Sequence, residues 1–418
     1  MLTRSKTPWF ALIVLAGIGT VGFIDRIVVN VLVEPIKAEF ALSDTQVSLM
    51  GTAFAVINIV LAVFVARHAE RVARVPLIAF GTLLWSLATA VCGMASSWTG
   101  LLVARMAVGV GEAVGLPGNQ SVVADYFPPS RRGLAISVLL LAPPIGAFIG
   151  FVGGGWIAQT YDWRFTFLIA AVPGLVLAAI AYLFVAEPPR GQHDITKSEE
   201  VPPLTAVVRR LFGLASARHL VIGSALAAMF GFGLNFFFTS LMMRQFSVGI
   251  GEAGLYAGLI ASLPAAVSVI ASGWLADRFG AKNPAAYALI PAVCMLIGGP
   301  FYAFAISQES LGILLALVSI ATFLNFGYLG ITFAALQNLM HPRMRATASA
   351  LLSGVYGVSG ALGPILLGWM SDSFAVTRGE TRGLAMAMAV TGLLYLWAAA
   401  HYLLAARRLR ADMASIND

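Results

Sequence analysis

Four ionisable residues stand inside apolar sequence, and their types and spacing define the chemistry open to this chain. Arg105-Met-Ala-Val-Gly109-Val-Gly111-Glu112 lies within a run apolar enough to cross a bilayer. Seven residues separate Arg105 from Glu112, so on a helix they share a face, about 10 Å apart along the axis. A second pair, Asp25-Arg26, interrupts another apolar run. A charge at the centre of a membrane helix costs about 2.5–3.5 kcal/mol on insertion scales, and such residues mark pathways and relays. A carboxylate that alternates between an apolar environment and a basic neighbour takes up and releases a proton. This assigns proton coupling to Asp25 and Glu112. Arginine offers a planar fork that meets a carboxylate or phosphate in two bonds. This assigns Arg26 and Arg105 as counter-charges and, once released, as the site for an anionic substrate group. The competing reading is structural, with Asp25 and Arg105 simply holding two helices together.

The elements that must position these residues are membrane helices. Of the 418 residues, 59% are hydrophobic and 11% charged, against about 25% charged in a soluble domain. Runs of about 20 apolar residues give some twelve helices, at 8–33, 44–67, 75–95, 99–121, 133–158, 165–186, 218–243, 252–276, 284–306, 310–338, 345–371 and 383–406. The short alternating strands of a membrane barrel are missing from the pattern. The opening stretch, with Arg4 and Lys6 before an apolar run, mimics a secretory signal. It has no small-residue cleavage site and reads as a retained first helix. Most of the 26 lysines and arginines fall in alternate loops and at both ends. The positive-inside bias then puts both termini in the cytoplasm, in a multi-pass protein of the plasma membrane, the inner membrane if bacterial. The net charge of +7 is spread over those loops and makes no nucleic-acid footprint. Cys92 and Cys294 lie in apolar runs and imply no disulfide framework.

A polar interval divides the runs six and six. The expected domains are a first bundle over 1–187, a cytoplasmic linker over 188–217 and a second bundle over 218–418. Within the linker, Leu204 to Phe212 reads either as plain connection or as a short amphipathic helix. The halves repeat: Gly150 and Gly363, Gly155 and Gly368, and Trp156 and Trp369 all keep one offset, as do Arg132 and Arg345. Six-helix halves in the same orientation imply a substrate cavity between parallel repeats near the midplane.

With the repeat in hand, the chain resembles the major facilitator superfamily. Gly273-xxx-Asp277-Arg278-x-Gly280-x-Lys282 is similar to its signature between helices two and three, and Ala66 to Arg74, with Glu70, Arg71 and Arg74, is a departing first-half copy. Arg105-xxx-Gly109-x-Gly111 looks like its fourth-helix motif, and Gly146 to Gly155 like its fifth-helix glycine motif. Phe23-Ile-Asp25-Arg26, Trp85-Ser86, Gly109-Val-Gly-Glu112-Ala113, Asp125-Tyr-Phe-Pro-Pro129, Arg131-Arg132, Trp163-Arg164 and Glu187-Pro-Pro-Arg-Gly191 together resemble the spinster-like branch. The organic-anion symporter branch shares the Asp-Arg and Arg/Glu pairs. The resemblance implies alternating access, the same roles for the four charges, and cytoplasmic gate elements at Glu70, Arg71, Arg74, Arg131, Asp277 and Arg278.

The second half offers no charge inside a span. Candidate cavity residues are Asn30, Asn58 and Asn119 in the first half, and Asn235, Tyr256, Asn325, Tyr328 and Tyr356 in the second. An apolar, aromatic second half opposite a charged first half suits an amphiphile. The expected function is a proton-coupled secondary transporter of a lysolipid-like or sphingolipid-like substrate. The alternatives are a symporter of sugar acids or carboxylates and a non-transporting membrane sensor. No Gly-rich phosphate loop points to an ATP-driven pump. The five histidines fall in loops or singly near helix ends, so neither enzymatic chemistry, a metal nor a cofactor is expected. The expected partners are the substrate, protons and the bilayer, with the chain monomeric.

Overall fold

The structure is a computed structural model and describes residues 7–69, 71–192, 202–280 and 282–414. It is built of helices, with no β-strand element among the described residues. In chain order they are α1 (Pro8–Val31), α2 (Val33–Phe40), α3 (Asp44–Ala69), α4 (Arg74–Gly93), α5 (Trp98–Glu112), α6 (Gly115–Tyr126), α7 (Pro129–Leu139), α8 (Ala142–Thr160) and α9 (Trp163–Phe184). There follow α10 (Leu204–Gly213), α11 (Ala215–Phe246), α12 (Ile250–Gly280), α13 (Ala286–Ile306), α14 (Leu311–Phe326), α15 (Tyr328–Leu339), α16 (Arg345–Arg378) and α17 (Glu380–Ala414).

Among the described residues, eleven helices or joined helix pairs are long and apolar enough to cross a membrane. The twelfth expected span, 99–121, is cut into α5 and α6 at Ala113 and Val114. Pro117 has no N–H for the Ala113 carbonyl, so the helix ladder cannot run through this point. Glu112 is therefore the last residue of a helix rather than the middle of one. The same cause separates α7 from α8, where Pro143 and Pro144 leave the Leu139 and Leu140 carbonyls without helical partners. Many large apolar side chains point outward, Phe64, Phe80, Trp156, Ile270 and Trp369 among them. A lipid-facing coat requires that, because lipid tails exert no hydrophobic drive to bury them.

The chain divides into two compact units. The first comprises residues 1–197 with 247–258, the second 198–246 with 259–418. Within the first, α1 packs on α8 and α4 on α9; within the second, α11 packs on α16 and α13 on α17. One glycine pair that keeps its offset in sequence, Gly150 and Gly363, serves the same contact in each. A Cβ at Gly150 would stand 2.9 Å from Ile27 Cβ on α1, and one at Gly363 would collide with the Met229 carbonyl on α11. Small residues let helix backbones approach closely, which is how helices associate where water cannot drive them together. In the second unit, α10 buries Val207 and Leu211, and Arg210 donates to the Leu339 carbonyl at 3.2 Å.

At one end of the first unit Glu39 accepts from Trp163 Nε1 at 2.7 Å and from both terminal nitrogens of Arg164. The paired guanidinium holds the Glu39 carboxyl below its ordinary value, chiefly through that hydrogen bond. A depressed carboxylate stabilises the fold above its unfolded pKa and loses that contribution as the pH falls through the folded one. Glu39→Gln should therefore lower the melting temperature slightly near neutrality, an exposed pair being worth about 0.2–1 kcal/mol. The difference from wild type should shrink below about pH 4, as followed by thermal melts in detergent. Gly363→Val should destabilise far more, by about 1–3 kcal/mol or beyond. In the same melts Gly312→Ala, where the Cβ position is open, should match or exceed wild type.

Candidate functional site

The four charges meet as two crossed pairs between α1 and α5. Arg105 donates to Asp25 Oδ2 at 2.8 Å, and both side chains are 1% exposed. Thr89 on α4 donates to the other oxygen, Asp25 Oδ1, at 2.7 Å. Arg26 meets Glu112 Oε2 twice, through Nε at 2.7 Å and the terminal amine at 2.6 Å. This second pair is asymmetric: the Arg26 side chain is 39% exposed and that of Glu112 only 5%. Adjacent residues on a helix point about 100° apart, which lets Asp25 and Arg26 serve partners two turns apart on α5.

Phe54 on α3 sits between the pairs. Its ring centroid lies 5.0 Å from the Arg105 guanidinium and 5.3 Å from that of Arg26, and Phe23 stands 5.2 Å from Arg26 on another side. An aromatic face is a favourable neighbour for a desolvated cation. Close glycine contacts hold the framework. A Cβ at Gly109 would meet the Phe54 carbonyl at 2.6 Å, and one at Gly111 the Trp85 nitrogen at 2.5 Å.

A cavity of about 80 Å³ adjoins the second pair. Arg26, Glu112, Thr82, Trp85 and Asn119 contribute to its wall. The Asn119 amide nitrogen donates to the Leu15 carbonyl at 3.2 Å.

The other candidates fall elsewhere. Asn58 donates to the Gly109 carbonyl at 3.3 Å and joins α3 to α5. Asn30 is buried on α1. Tyr256 bonds Glu252 one turn back on α12, at 2.6 Å. In the second unit Tyr328 is buried, Tyr356 packs edge-on to Phe232, and Asn325 is buried beside Gly298. Asn235 is half-buried on α11. Of the expected gate residues, Arg71 and Arg131 are exposed, and Arg278 lies over the Trp274 ring at 5.3 Å. Glu70 lies outside the described residues, and so does the side chain of Asp277.

Arg74 differs from its loop neighbours. It is 4% exposed, bonds Glu187 at 2.9 Å and Asp125, and donates to Ser121 Oγ at 2.9 Å. Glu187 also accepts from the Val75 N–H at 2.7 Å, and Asp125 from the Gly191 N–H at 3.0 Å. The start of α4, the end of α6 and residues 186–192 are thus tied by one ionic cluster. Two of the histidines prove to be partners, with His219 and His401 ring nitrogens 2.9 Å apart between α11 and α17. Among the described residues no three His, Cys, Asp or Glu side chains are placed to hold a metal.

Residues 14–364 match the family model of the Major Facilitator Superfamily. The chain belongs to that superfamily. It is 31% identical to an MFS-type efflux pump of Mycolicibacterium smegmatis, over 98% of this chain and 95% of that one. It is 25% identical to the sphingosine-1-phosphate transporter SPNS2 of Danio rerio, over 89% and 78% of the two chains. Its fold superposes on the crystal structure of a bacterial homolog of the human lysosomal transporter Spinster, in an inward-facing and unoccupied conformation. That match has TM-score 0.91 and 28% identity, and covers 98% of this chain and 99% of that one. The chain is a multi-pass, spinster-like membrane transporter of the major facilitator fold, not an enzyme.

The two pairs should answer differently to mutation. Arg105→Met strips a sealed carboxylate of its cation, a change that costs about 3–5 kcal/mol in buried pairs. Arg26→Met should cost less, because the guanidinium it removes is partly exposed and the Glu112 carboxyl it leaves behind borders a cavity. Asp25→Leu with Arg105→Met should recover most of the lost melting temperature, because both desolvation costs vanish together.

Proposed function

We propose that the chain is a proton-coupled carrier working by alternating access, in which Arg26 and Glu112 form the exchangeable site. The observation that carries this reading is the asymmetry of their pair: a reachable arginine held by an unreachable carboxylate, at a cavity wall. An anionic substrate group competes with Glu112 for the Arg26 fork, since both offer the same planar or trigonal oxygens. A carboxylate deprived of its cation in a buried site takes a proton rather than stand charged. Anion and proton then load together, and unloading of one favours unloading of the other. Asp25 and Arg105 hold the hinge region of this exchange through Phe54 and Thr89, and Asp25 is the second carboxylate open to protonation when the bundle rearranges.

The substrate class is an amphiphile with an anionic headgroup. Supporting this are Phe23 and Phe54 flanking Arg26, a second unit that buries several tyrosines, and a relative named as a sphingosine-1-phosphate transporter. The lysine and arginine bias places both termini on the cytoplasmic side of a plasma membrane, and the reading takes the carrier as a monomer.

A thermal-shift screen of lysolipids and sphingoid phosphates against sugar acids and carboxylates selects the substrate. Wild-type protein in liposomes should then accumulate that substrate when a pH gradient is imposed. Glu112→Gln and Asp25→Asn should reduce gradient-driven accumulation to background, while Glu112→Gln retains counterflow exchange. Accumulation by both variants would overturn the reading, and stabilisation by sugar acids alone would replace the lipid with an organic anion.

A further inference from the structure

We infer that the cavity beside Glu112 is a water-filled proton passage internal to the first unit, with Asn119 as its positioning residue. The inference rests on Glu112 being the proton carrier. It begins from two buried oxygens that have no partner among the described residues, Glu112 Oε1 and Asn119 Oδ1. Both residues line the same cavity, and they are 6% and 1% exposed. A buried acceptor is ordinarily satisfied by a protein donor or by water. One N–H of the Asn119 amide is used on the Leu15 carbonyl, and the oxygen of the same amide is left without a donor. At about 80 Å³ the cavity accommodates a small water cluster, since one water needs about 10–15 Å³ on the same measure.

Water fits this wall better than a metal ion does. The Thr82 hydroxyl donates to the Ile78 carbonyl at 2.8 Å, and Arg26 places a positive charge on the same wall. A hard cation demands six or so oxygens and would face that guanidinium. The charged groups packed around Glu112 are Arg26 and Asp25 from α1 and Arg105 from its own helix. From α4, α6 and α8 the cavity receives only uncharged residues, among them Ile78, Thr82, Gly115 and Ala142. The carboxylate therefore has no protein group on that side with which to exchange a proton.

Asn119 lies seven residues beyond Glu112, on the far side of the break, on the helix that ends at the Arg74–Asp125–Glu187 cluster. The passage thus leads from Glu112 toward that end of the unit. In the proton step, a protonated water gives its proton to Glu112 Oε1: one O–H bond forms on the carboxyl, one breaks on the water, and the carboxylate's charge is neutralised. Asn119 Oδ1 fixes the water that makes this transfer.

Infrared difference spectroscopy of the full chain in lipid nanodiscs tests the passage, with neither substrate nor pH gradient present and the sample acidified until the Glu112 carboxyl is protonated. The Glu112 carboxyl band is identified by its loss in Glu112→Gln, and its shift in D2O reports proton access. Asn119→Leu should slow that shift about tenfold or more by removing the water's anchor. Gly115→Ile should do the same by filling the cavity, and the Cβ position at Gly115 is open. Asn119→Ser, which keeps a polar oxygen, should exchange at close to the wild-type rate. Equal rates in all four proteins would overturn the passage and leave the carrier reading intact. Slowing by Asn119→Leu but not by Gly115→Ile would trace the effect to the lost Leu15 bond and also overturn it. If no band disappears in Glu112→Gln, both this inference and the proton-carrier role fall.

Discussion

A charge taken out of water must find its opposite at once, and the arrangement of the first unit follows from that requirement. Two carboxylates and two guanidiniums are set among apolar helices, where an unpaired ion would cost several kcal/mol. The sequence alternates sign along α1 and again along α5, so each acid on one helix finds a base on the other. The glycines at 109 and 111 draw α3 and α4 against α5, close enough for Phe54 and Thr89 to complete the shell. Removing any one member leaves another exposed to the low dielectric, which is why these residues act as a unit rather than as four independent contacts.

The pairs are alike in chemistry and opposite in access. Asp25 and Arg105 are sealed, and their pairing resembles a structural rivet with its third bond from Thr89. Arg26 keeps more than a third of its side chain reachable, while its partner does not. A site that binds an anion and also reports the binding needs this inequality. If both partners were exposed, solvent would screen them and nothing would couple; if both were sealed, nothing could enter. Phe54 faces both guanidiniums, so a displacement of Arg26 changes the surroundings of Arg105 without a bond passing between them.

Much of this was legible in the residues, and what was not has physical reasons. Ionisable residues are expensive in apolar runs, so Asp25, Arg26, Arg105 and Glu112 stood out at once. The offset glycines announced the repeated helix contacts, and Gly150 and Gly363 prove to serve them. Which arginine takes which acid was not readable, because spacing on one helix says nothing about reach across to another. Thr89 and Phe54 are ordinary residues for a membrane helix and carry no signal of their own. Arg74 read as one of three loop arginines; its burial depends on Asp125 and Glu187, distant in sequence and visible only once the fold brings them to it. Pro117 was in plain view, yet the apolar pattern runs through it, so periodicity gave one helix where the missing N–H makes two. His219 and His401 looked solitary for the same reason that Arg74 did.

The repeat preserves a scaffold and not a chemistry. In both units the first helix meets the fifth, through Gly150 and Gly363, and the third meets the sixth. The first unit fills the interior so formed with ions, and the second fills it with hydroxyls. Tyr395 bonds the Ala227 carbonyl, and Tyr402 shares a 2.6 Å bond with Thr332. A phenol carries an apolar ring and one polar tip, so it needs a single partner where a carboxylate needs several. Hydroxyls can rearrange without stranding a charge, and ions cannot. The first unit is therefore the one in which loading has to be electrically balanced, and any coupling between a proton and an anion must be made there.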